Sequence, residues 1–472
     1  MIQRLSILPI LFALLTIGNR VTAKVTLPRI FSDGMVLQQQ TDCHLWGMAA
    51  ANHSVTVTTS WDRQKHTVKA NGEGRWTLTV KTPEAGGPYR LTLTDHTDSE
   101  LVIKDILVGE LWLCSGQSNM EMPMKGFKGQ PVDGMLETLL HCDDPQLRLF
   151  TVKRHASLTP VDDVTGEWQA TSSASLRNFS ATAYFFGQAL RQNLHVPVGL
   201  VVCCWGGSAC EAWMTADWLK AFPQVRQTIR QTDVDKLQQR CPTALYNGIL
   251  HPLIGMTMRG AIWYQGEDNV PRYSYYADLL TTMVKGWRSE WGEGDFPFYY
   301  AQIAPYDYSL IGDTTNSALL REQQMLAEQR IPNARMAVLL DAGLRYGIHP
   351  RKKQIVGERL ALLALAHTYS QQGLPDFAVY SNVTFRNDTA VVAFDRSKEW
   401  VYFNNGTTSQ NFEISDDNTH WKQADAWISR NRVYVHSREV KHPVAVRYAF
   451  HNWVNGDLFH DGLPVSSFRT KQ

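Results

Sequence analysis

Several features that would mark other classes of protein are missing from this chain of 472 residues. There is no long run of Lys or Arg, and the formal net charge is only +1, which argues against nucleic acid or an anionic membrane surface as a partner. The seven cysteines form no Cys-x-x-Cys pair and have no metal-ligand spacing, so we expect neither a metal nor a cofactor. Beyond the N-terminus no apolar run is a better candidate for a membrane span, and no internal repeat is present.

The first 23 residues have the pattern of an export signal. Arg4 supplies the positive start, residues 5–17 are apolar, and residues 21–23 (Val-Thr-Ala) form a cleavage site of small residues. No cysteine ends the apolar segment, so we expect no lipid anchor. The sequence therefore predicts a secreted or periplasmic protein that begins near Lys24. An odd number of cysteines leaves at least one unpaired, and the sequence assigns no disulfide.

Two regions of short alternating segments flank a central region with a different pattern. Residues 24–105 contain six such segments separated by glycine-rich turns, which predicts a small β domain. Taken alone, this module would also fit a carbohydrate-binding module. Residues 373–472 return to the same pattern and predict a second β-rich region.

Residues 106–372 alternate apolar strands with helical segments, which predicts an α/β catalytic domain with a parallel sheet covered on both faces. Ligands of such sheets bind at the carboxyl ends of the strands. The predicted strands are 106–113, 198–204, 260–264, 298–303 and 336–340. The predicted helices are 181–194, 273–291, 317–329 and 351–368.

The first of these strands ends in Ser-Gly-Gln-Ser-Asn, residues 115–119. Gly116 allows a sharp turn and a close approach of substrate, because it has no Cβ. Ser118 is then the candidate nucleophile, and its own N–H can face a developing oxyanion. A serine that merely caps the next helix would give the same local pattern.

Later strand ends supply the other candidate groups. Gly207, in a Gly-Gly pair, is a candidate oxyanion donor, although a tight turn into a helix would look alike. Gln265 or Asn269 could offer a neutral amide to the same oxyanion, or the loop could cap the following helix. Three tryptophans near these strand ends are candidate sugar-binding surfaces: Trp205, Trp213 and Trp263.

The loop after the last predicted strand, residues 341–350, contains His349. We interpret His349 as the general base for Ser118, although a lone histidine in a loop is more often a surface residue. Pro350 fits the first position of the helix that follows.

Several stretches together resemble the sialate O-acetylesterase family of the SGNH-hydrolase superfamily. They are LPRIFSDGMVLQQ, VGELWLCSGQSNMEMPM, WGGSACEAWM, WYQGEDN, IHPRKKQIVGERLA, VRYAF and GLPVSSFRT. The resemblance implies a flavodoxin-like αβα core flanked by β domains, and hydrolysis of O-acetyl esters on sugars, typically sialic acids. It implies Ser118 as nucleophile and His349 as base. It also implies an oxyanion hole made of the Ser118 and Gly207 N–H groups and an amide from residues 265–269.

The sequence departs from the superfamily pattern at two positions. The acid usually found three residues before the histidine is replaced by Tyr346, and an asparagine of the superfamily is replaced by Asp268. Asp341 is our candidate for the acid that orients His349. The alternative is a Ser–His dyad whose ring is oriented by a backbone carbonyl.

We therefore predict a metal-free serine esterase that acts on O-acetylated sialic acids. An esterase for acetylated xylan or pectin would use identical chemistry with a different sugar pocket. A carbohydrate-binding protein with an inert serine loop is the alternative from another class.

Overall fold

A computed structural model describes residues 24–95, 100–309, 312, 314–396 and 399–470. The predicted export signal, residues 1–23, lies outside these residues. Within the described ranges, no helix combines the length and the apolar character that crossing a membrane requires. All seven cysteines are buried and none is in a disulfide.

The N-terminal region is built from short strands, as its alternating pattern predicts. They are β1 (Val36–Gln38), β2 (Asp42–Met48), β3 (Ser54–Thr59), β4 (Lys65–Lys69), β5 (Arg75–Lys81) and β6 (Gly86–Thr94). Strands β2 and β5 form an antiparallel pair, whereas β3 pairs with β4 and β6. In β2 buried and more exposed residues alternate, as expected for a strand with one face on the core.

The next strand, β7 (Leu101–Gly116), joins this region to the centre of the molecule. Its first part pairs with β1 and β6, and its last residues pair with two strands of the central sheet. The predicted division after residue 105 stays a prediction, and it falls inside β7.

The central elements continue the chain in order. They are α1 (Ser118–Glu121), α2 (Met135–Leu140), β8 (Asp144–Thr151), β9 (Trp168–Thr171), α3 (Ser173–Leu176), α4 (Ala181–Leu194), β10 (Val198–Cys204), α5 (Ala216–Leu219), α6 (Gln231–Leu237), β11 (Gly260–Tyr264), α7 (Tyr276–Trp291), β12 (Phe298–Ala301), α8 (Asn316–Arg330), β13 (Ala334–Ala337) and α9 (Lys353–His367).

These strands form a sheet in the order β13-β12-β11-β7-β10-β8-β9. All neighbours are parallel except β8 and β9. Every residue of β10, β11 and β12 is buried. Since successive side chains of a strand point to opposite faces, uniform burial means that both faces of the sheet are covered.

The C-terminal strands are β14 (Val379–Arg386), β15 (Thr389–Asp395), β16 (Val401–Phe403), β17 (Thr408–Ser415), β18 (Lys422–Ser429), β19 (Arg432–His436), β20 (Ala445–Tyr448), β21 (Leu458–His460), β22 (Leu463–Pro464) and β23 (Phe468–Arg469). Seven of them form one antiparallel sheet in the order β14-β15-β19-β18-β17-β20-β23, and β16, β21 and β22 form a smaller one. The predicted sheet of parallel strands with helices, followed by a β-rich C-terminal region, is thus confirmed. Strands β8 and β9 were not predicted.

Candidate active site

Ser118 lies where the central strand β7 ends. The last residue of β7, Gly116, has φ +139°, and a Cβ there would lie 2.2 Å from the carbonyl oxygen of Tyr264 on the neighbouring strand. Only glycine fits such a position without strain. The chain therefore turns sharply after the strand, and Ser118 begins α1 at the carboxyl edge of the sheet.

His349 reaches Ser118 from the loop before α9. Its Nε2 atom lies 2.8 Å from the Ser118 hydroxyl oxygen, within hydrogen-bond distance, although the two residues are 231 positions apart. Both side chains line one cavity of about 570 Å³. The structure thus brings the predicted nucleophile and the predicted base together.

The other ring nitrogen of His349 contacts a residue that we did not predict. Nδ1 lies 2.5 Å from the side-chain oxygen of Gln130. An amide oxygen can only accept, so Nδ1 carries the hydrogen and Nε2 is left as the acceptor for the serine O–H. Phe127, from the same turn as Gln130, packs its ring edge-on against the imidazole at 5.0 Å. This turn therefore fixes the ring of His349 in the tautomer that a general base requires.

The protonation of His349 follows from its surroundings. Burial, together with the positive charge of Lys353, lowers the pKa of His349 to about 4. A carboxylate at Nδ1 would favour the charged ring, but the neutral amide of Gln130 adds no negative charge. His349 is therefore neutral, and able to accept a proton, from weakly acidic pH upwards.

A turn of two glycines, Gly206 and Gly207, faces the serine. A Cβ on Gly206 would lie 3.2 Å from the Cβ of Ser118, and its N–H donates to Glu121 at 2.8 Å. Within the described part of the chain, the backbone N–H groups of Ser118 and Gly207 donate to no protein acceptor. Both residues line the cavity, so these two donors can serve an oxyanion there.

The prediction that Gln265 or Asn269 supplies the third donor needs correction. Both side chains are fully buried and neither lines the cavity. The Gln265 amide donates to the Ser208 carbonyl and to Asn269, while the Asn269 amide donates to Glu211 at 2.9 Å. Their N–H groups are used to hold the loop together. The amide that lines the cavity instead is Gln117, whose oxygen accepts from the N–H groups of residues 266 and 268.

Asp341, the candidate acid for orienting His349, is also placed elsewhere. Its two carboxylate oxygens accept from the two terminal nitrogens of Arg359, each at 2.7 Å. A bidentate pair of this kind satisfies the carboxylate, so Asp341 orients α9 rather than the histidine. Tyr346, at the position where the superfamily has its acid, is 81% exposed. The prediction of an orienting acid is therefore wrong, because an amide occupies that place.

The three tryptophans do not line the cavity either. Trp213 and Trp263 are fully buried and pack edge-to-face at 5.7 Å, so they belong to the core beneath the sheet edge. Trp205 is partly buried, and the guanidinium of Arg154 lies over its ring at 5.6 Å. The aromatic faces that we expected to stack on sugar are thus occupied by protein.

Two arginines that we did not predict line the cavity, Arg154 and Arg240. Each donates from Nε to an acidic residue at 2.6 Å, Arg154 to Glu121 and Arg240 to Asp268. Among the described residues, no protein acceptor binds the terminal nitrogens of either one. The acids therefore hold both guanidinium groups in place and leave their outer N–H groups for a ligand, in the fork that suits a carboxylate.

Comparisons with known proteins agree with this geometry. Residues 108–349 match the family described as carbohydrate esterase, sialic acid-specific acetylesterase. The chain is 30% identical to the sialate O-acetylesterase of Mus musculus, over 72% of this chain and 73% of the mouse protein. It is 28% identical to that of Rattus norvegicus, over 89% of this chain and 88% of the rat protein.

Among solved structures, a carbohydrate acetylesterase from Xanthomonas citri is similar over 95% of this chain and 99% of its own, with a TM-score of 0.86 and 35% identity. The matched segment of the family begins within β7 and ends at His349, so it contains Ser118, the Gly-Gly turn and His349. The chain belongs to the sialic acid-specific acetylesterase family of carbohydrate esterases.

Proposed function

We propose that the protein is a serine esterase that removes O-acetyl groups from sialic acids. The observation that carries the proposal is the 2.8 Å contact between His349 Nε2 and the Ser118 hydroxyl, with Gln130 holding the opposite ring nitrogen. This is the arrangement of an activated serine, a base and an orienting group. A carbohydrate-binding protein has no need of such a contact.

The geometry supports acetyl transfer in two steps. The Ser118 oxygen attacks the acetyl carbonyl carbon while His349 Nε2 takes the hydroxyl proton, and the carbonyl electron pair moves to the oxygen that faces the Ser118 and Gly207 N–H groups. When the intermediate collapses, the sugar oxygen leaves with the proton of His349, and Ser118 is acetylated. Water, deprotonated by His349, then attacks the carbonyl carbon of this ester. The bond to the Ser118 oxygen breaks as that oxygen takes the proton back from His349, and the acetyl group leaves as acetate.

An acidic sugar is supported by the two arginines in the cavity wall. Their open guanidinium forks suit the carboxylate of a sialic acid, whereas a neutral xylan offers no negative charge to them. The rat and mouse relatives are named for sialate, which agrees with this choice.

Acetate release tests both parts of the proposal. The substrates are O-acetylated sialic acid, its carboxyl methyl ester and acetylated xylan, each with wild type and Ser118→Ala. We expect wild type to cleave the free acid fastest and Ser118→Ala to release no acetate while keeping its melting temperature. Faster cleavage of acetylated xylan would show that sialic acid is not the preferred substrate, and would leave the proposed mechanism unchanged. Acetate release by folded Ser118→Ala would overturn the mechanism.

The core and the location of the protein are parts of the same proposal. The parallel sheet, with Ser118 after a central strand and His349 after the last, supports the flavodoxin-like core of SGNH hydrolases. A crystal structure with a different strand order would contradict this. Export is supported by the sequence of residues 1–23. N-terminal sequencing of the exported protein should then begin near Lys24.

A further inference from the structure

Three segments of the active site meet at one buried side chain, Asn119, the residue after the nucleophile. Its amide nitrogen donates to the carboxylate of Glu267 at 2.5 Å and to the carbonyl of Ile348 at 3.1 Å. Its amide oxygen accepts from the ammonium of Lys353 at 2.5 Å. Ile348 directly precedes His349, so this one amide joins the loop of the nucleophile to the loop of the base.

The orientation of this amide depends on Lys353. An ammonium group can only donate, so the Asn119 oxygen must face it. The nitrogen then has to point at Ile348 and Glu267, both of which offer acceptors. Without the ammonium, the Asn119 oxygen would lose this donor, and only the acceptors of Ile348 and Glu267 would hold the amide in this orientation. Loss of one of its three contacts would loosen the amide, and with it the hydrogen bond to the Ile348 carbonyl.

Local structure alone does not favour a lysine at this position. Lys353 is the first residue of α9, where the helix dipole disfavours a positive charge, and its side chain is fully buried. Burial lowers the pKa of Lys353 to about 7, with Glu267 acting in the opposite direction. One carboxylate oxygen of Glu267 is also buried and has no hydrogen-bond partner among the residues that the structure describes, and burial raises the pKa of this acid. Apolar residues could fill the same space without the free-energy cost of removing two charged groups from water.

We propose that Lys353 is a positioning residue of the esterase: it orients the Asn119 amide and thereby holds His349 at hydrogen-bond distance from Ser118. The inference rests on the proposed function, since it concerns the same serine and histidine. It adds a charged residue, remote from the substrate, on which the rate of the chemical step depends.

Lys353→Met tests the proposal, because it keeps the length of the side chain and removes its donors. The matched control is Lys352→Met, which changes an exposed charge one residue away. We expect Lys353→Met to lower kcat by roughly 100-fold with little change in KM, as for a small misplacement of reacting groups. The acid limb of its pH profile should also move to higher pH, because the charge of Lys353 holds the pKa of His349 down. Lys352→Met should match wild type in kcat, in KM and in the acid limb of the pH profile.

The rate at which a fluorophosphonate labels Ser118 gives a second readout that needs no sugar. If wild type labels quickly but releases no acetate from any sugar, the proposed function fails, while slower labelling of Lys353→Met still supports the positioning role. Wild-type kcat, labelling rate and pH profile in folded Lys353→Met would overturn that role.

A second variant covers the case in which Lys353→Met does not fold. Asn119→Asp combined with Glu267→Gln keeps one carboxyl group in the cluster and an acceptor for the ammonium, but residue 119 can no longer donate to the Ile348 carbonyl. We expect a folded protein with a similar loss in kcat and in labelling rate. Unfolding of Lys353→Met and of the double variant, or full activity of the folded double variant, would overturn the proposal in favour of a purely structural cluster.

Discussion

Replacing Gln130 with glutamate would convert the neutral orienting group into a charged one. Gln130 Oε1 lies 2.5 Å from His349 Nδ1, and glutamate has almost the same shape, so a carboxylate oxygen would take this place. The backbone of the turn is held by hydrogen bonds in both directions between Phe127 and Gln130, which the substitution leaves intact. The variant therefore changes the charge at the histidine and little else.

The size of the effect follows from the present state of His349, whose pKa is about 4. An opposite charge at hydrogen-bond distance raises the pKa of a histidine by about 1 to 3 units, so the variant should titrate at about 5 to 7. With a pKa near 6, only about one histidine in ten is neutral at pH 5, and kcat/KM there should fall about tenfold. On the alkaline plateau the carboxylate stabilises the imidazolium of the transition state. On this plateau kcat should rise, by at most about tenfold for each unit by which the pKa of His349 is raised.

The assay is kcat/KM for acetate release between pH 4 and 9, because its acid limb reports the free enzyme's essential base. Gln130→Met is the matched control, since it removes the acceptor without adding charge. Loss of one hydrogen bond, about 1 to 3 kcal/mol, should lower its kcat about 5-fold to 150-fold. If folded Gln130→Glu shows the wild-type acid limb, then either His349 is not the base or Gln130 does not contact it in solution.

Further predictions concern the cavity and the turn that presents the serine. Arg154→Gln and Arg240→Gln should each raise KM for O-acetylated sialic acid by about tenfold, the value of one charge-assisted contact, and leave its methyl ester unaffected. Equal losses on both esters, in initial-rate measurements, would refute carboxylate recognition. Gly116→Ala should lower the free energy of unfolding by about 3 kcal/mol or more, because φ is +139° and the new Cβ would meet the carbonyl of Tyr264. A wild-type midpoint in urea would show that this turn relaxes easily.

The pairing of Ser118 with His349 was predictable from the sequence because it depends on one rule. Side chains that follow parallel strands of one sheet lie along the same edge of that sheet. Ser118 follows β7, and His349 follows β13, three strands away, so the rule places both at one edge of the sheet. The loop before α9 then brings His349 to Ser118, 231 positions along the chain. The strands themselves were recognisable as short apolar runs, and the boundaries of β10 and β11 agree with the prediction.

The residues that the sequence did not reveal, or misplaced, lie outside this rule. Gln130 belongs to a turn that follows no strand, and an uncharged amide carries no signal of a catalytic partner. Asp341 does end a strand region, but Arg359, one residue of a helix 18 positions later, takes both of its oxygens. Trp263 lies in β11 and Trp213 follows β10 by nine residues, and in such places an aromatic residue of the core and one of a sugar site look alike in the sequence.

The continuity of β7 has a consequence for how such proteins can evolve. A single strand of 16 residues is hydrogen-bonded to the N-terminal strands at its start and to the central sheet at its end, where it presents Ser118. Gene fusion usually exchanges modules through linkers, but a cut here would divide a strand and leave its backbone groups unpaired. The N-terminal strands are therefore not an independent module that could be gained or lost without the central sheet. Their inheritance should follow that of Ser118.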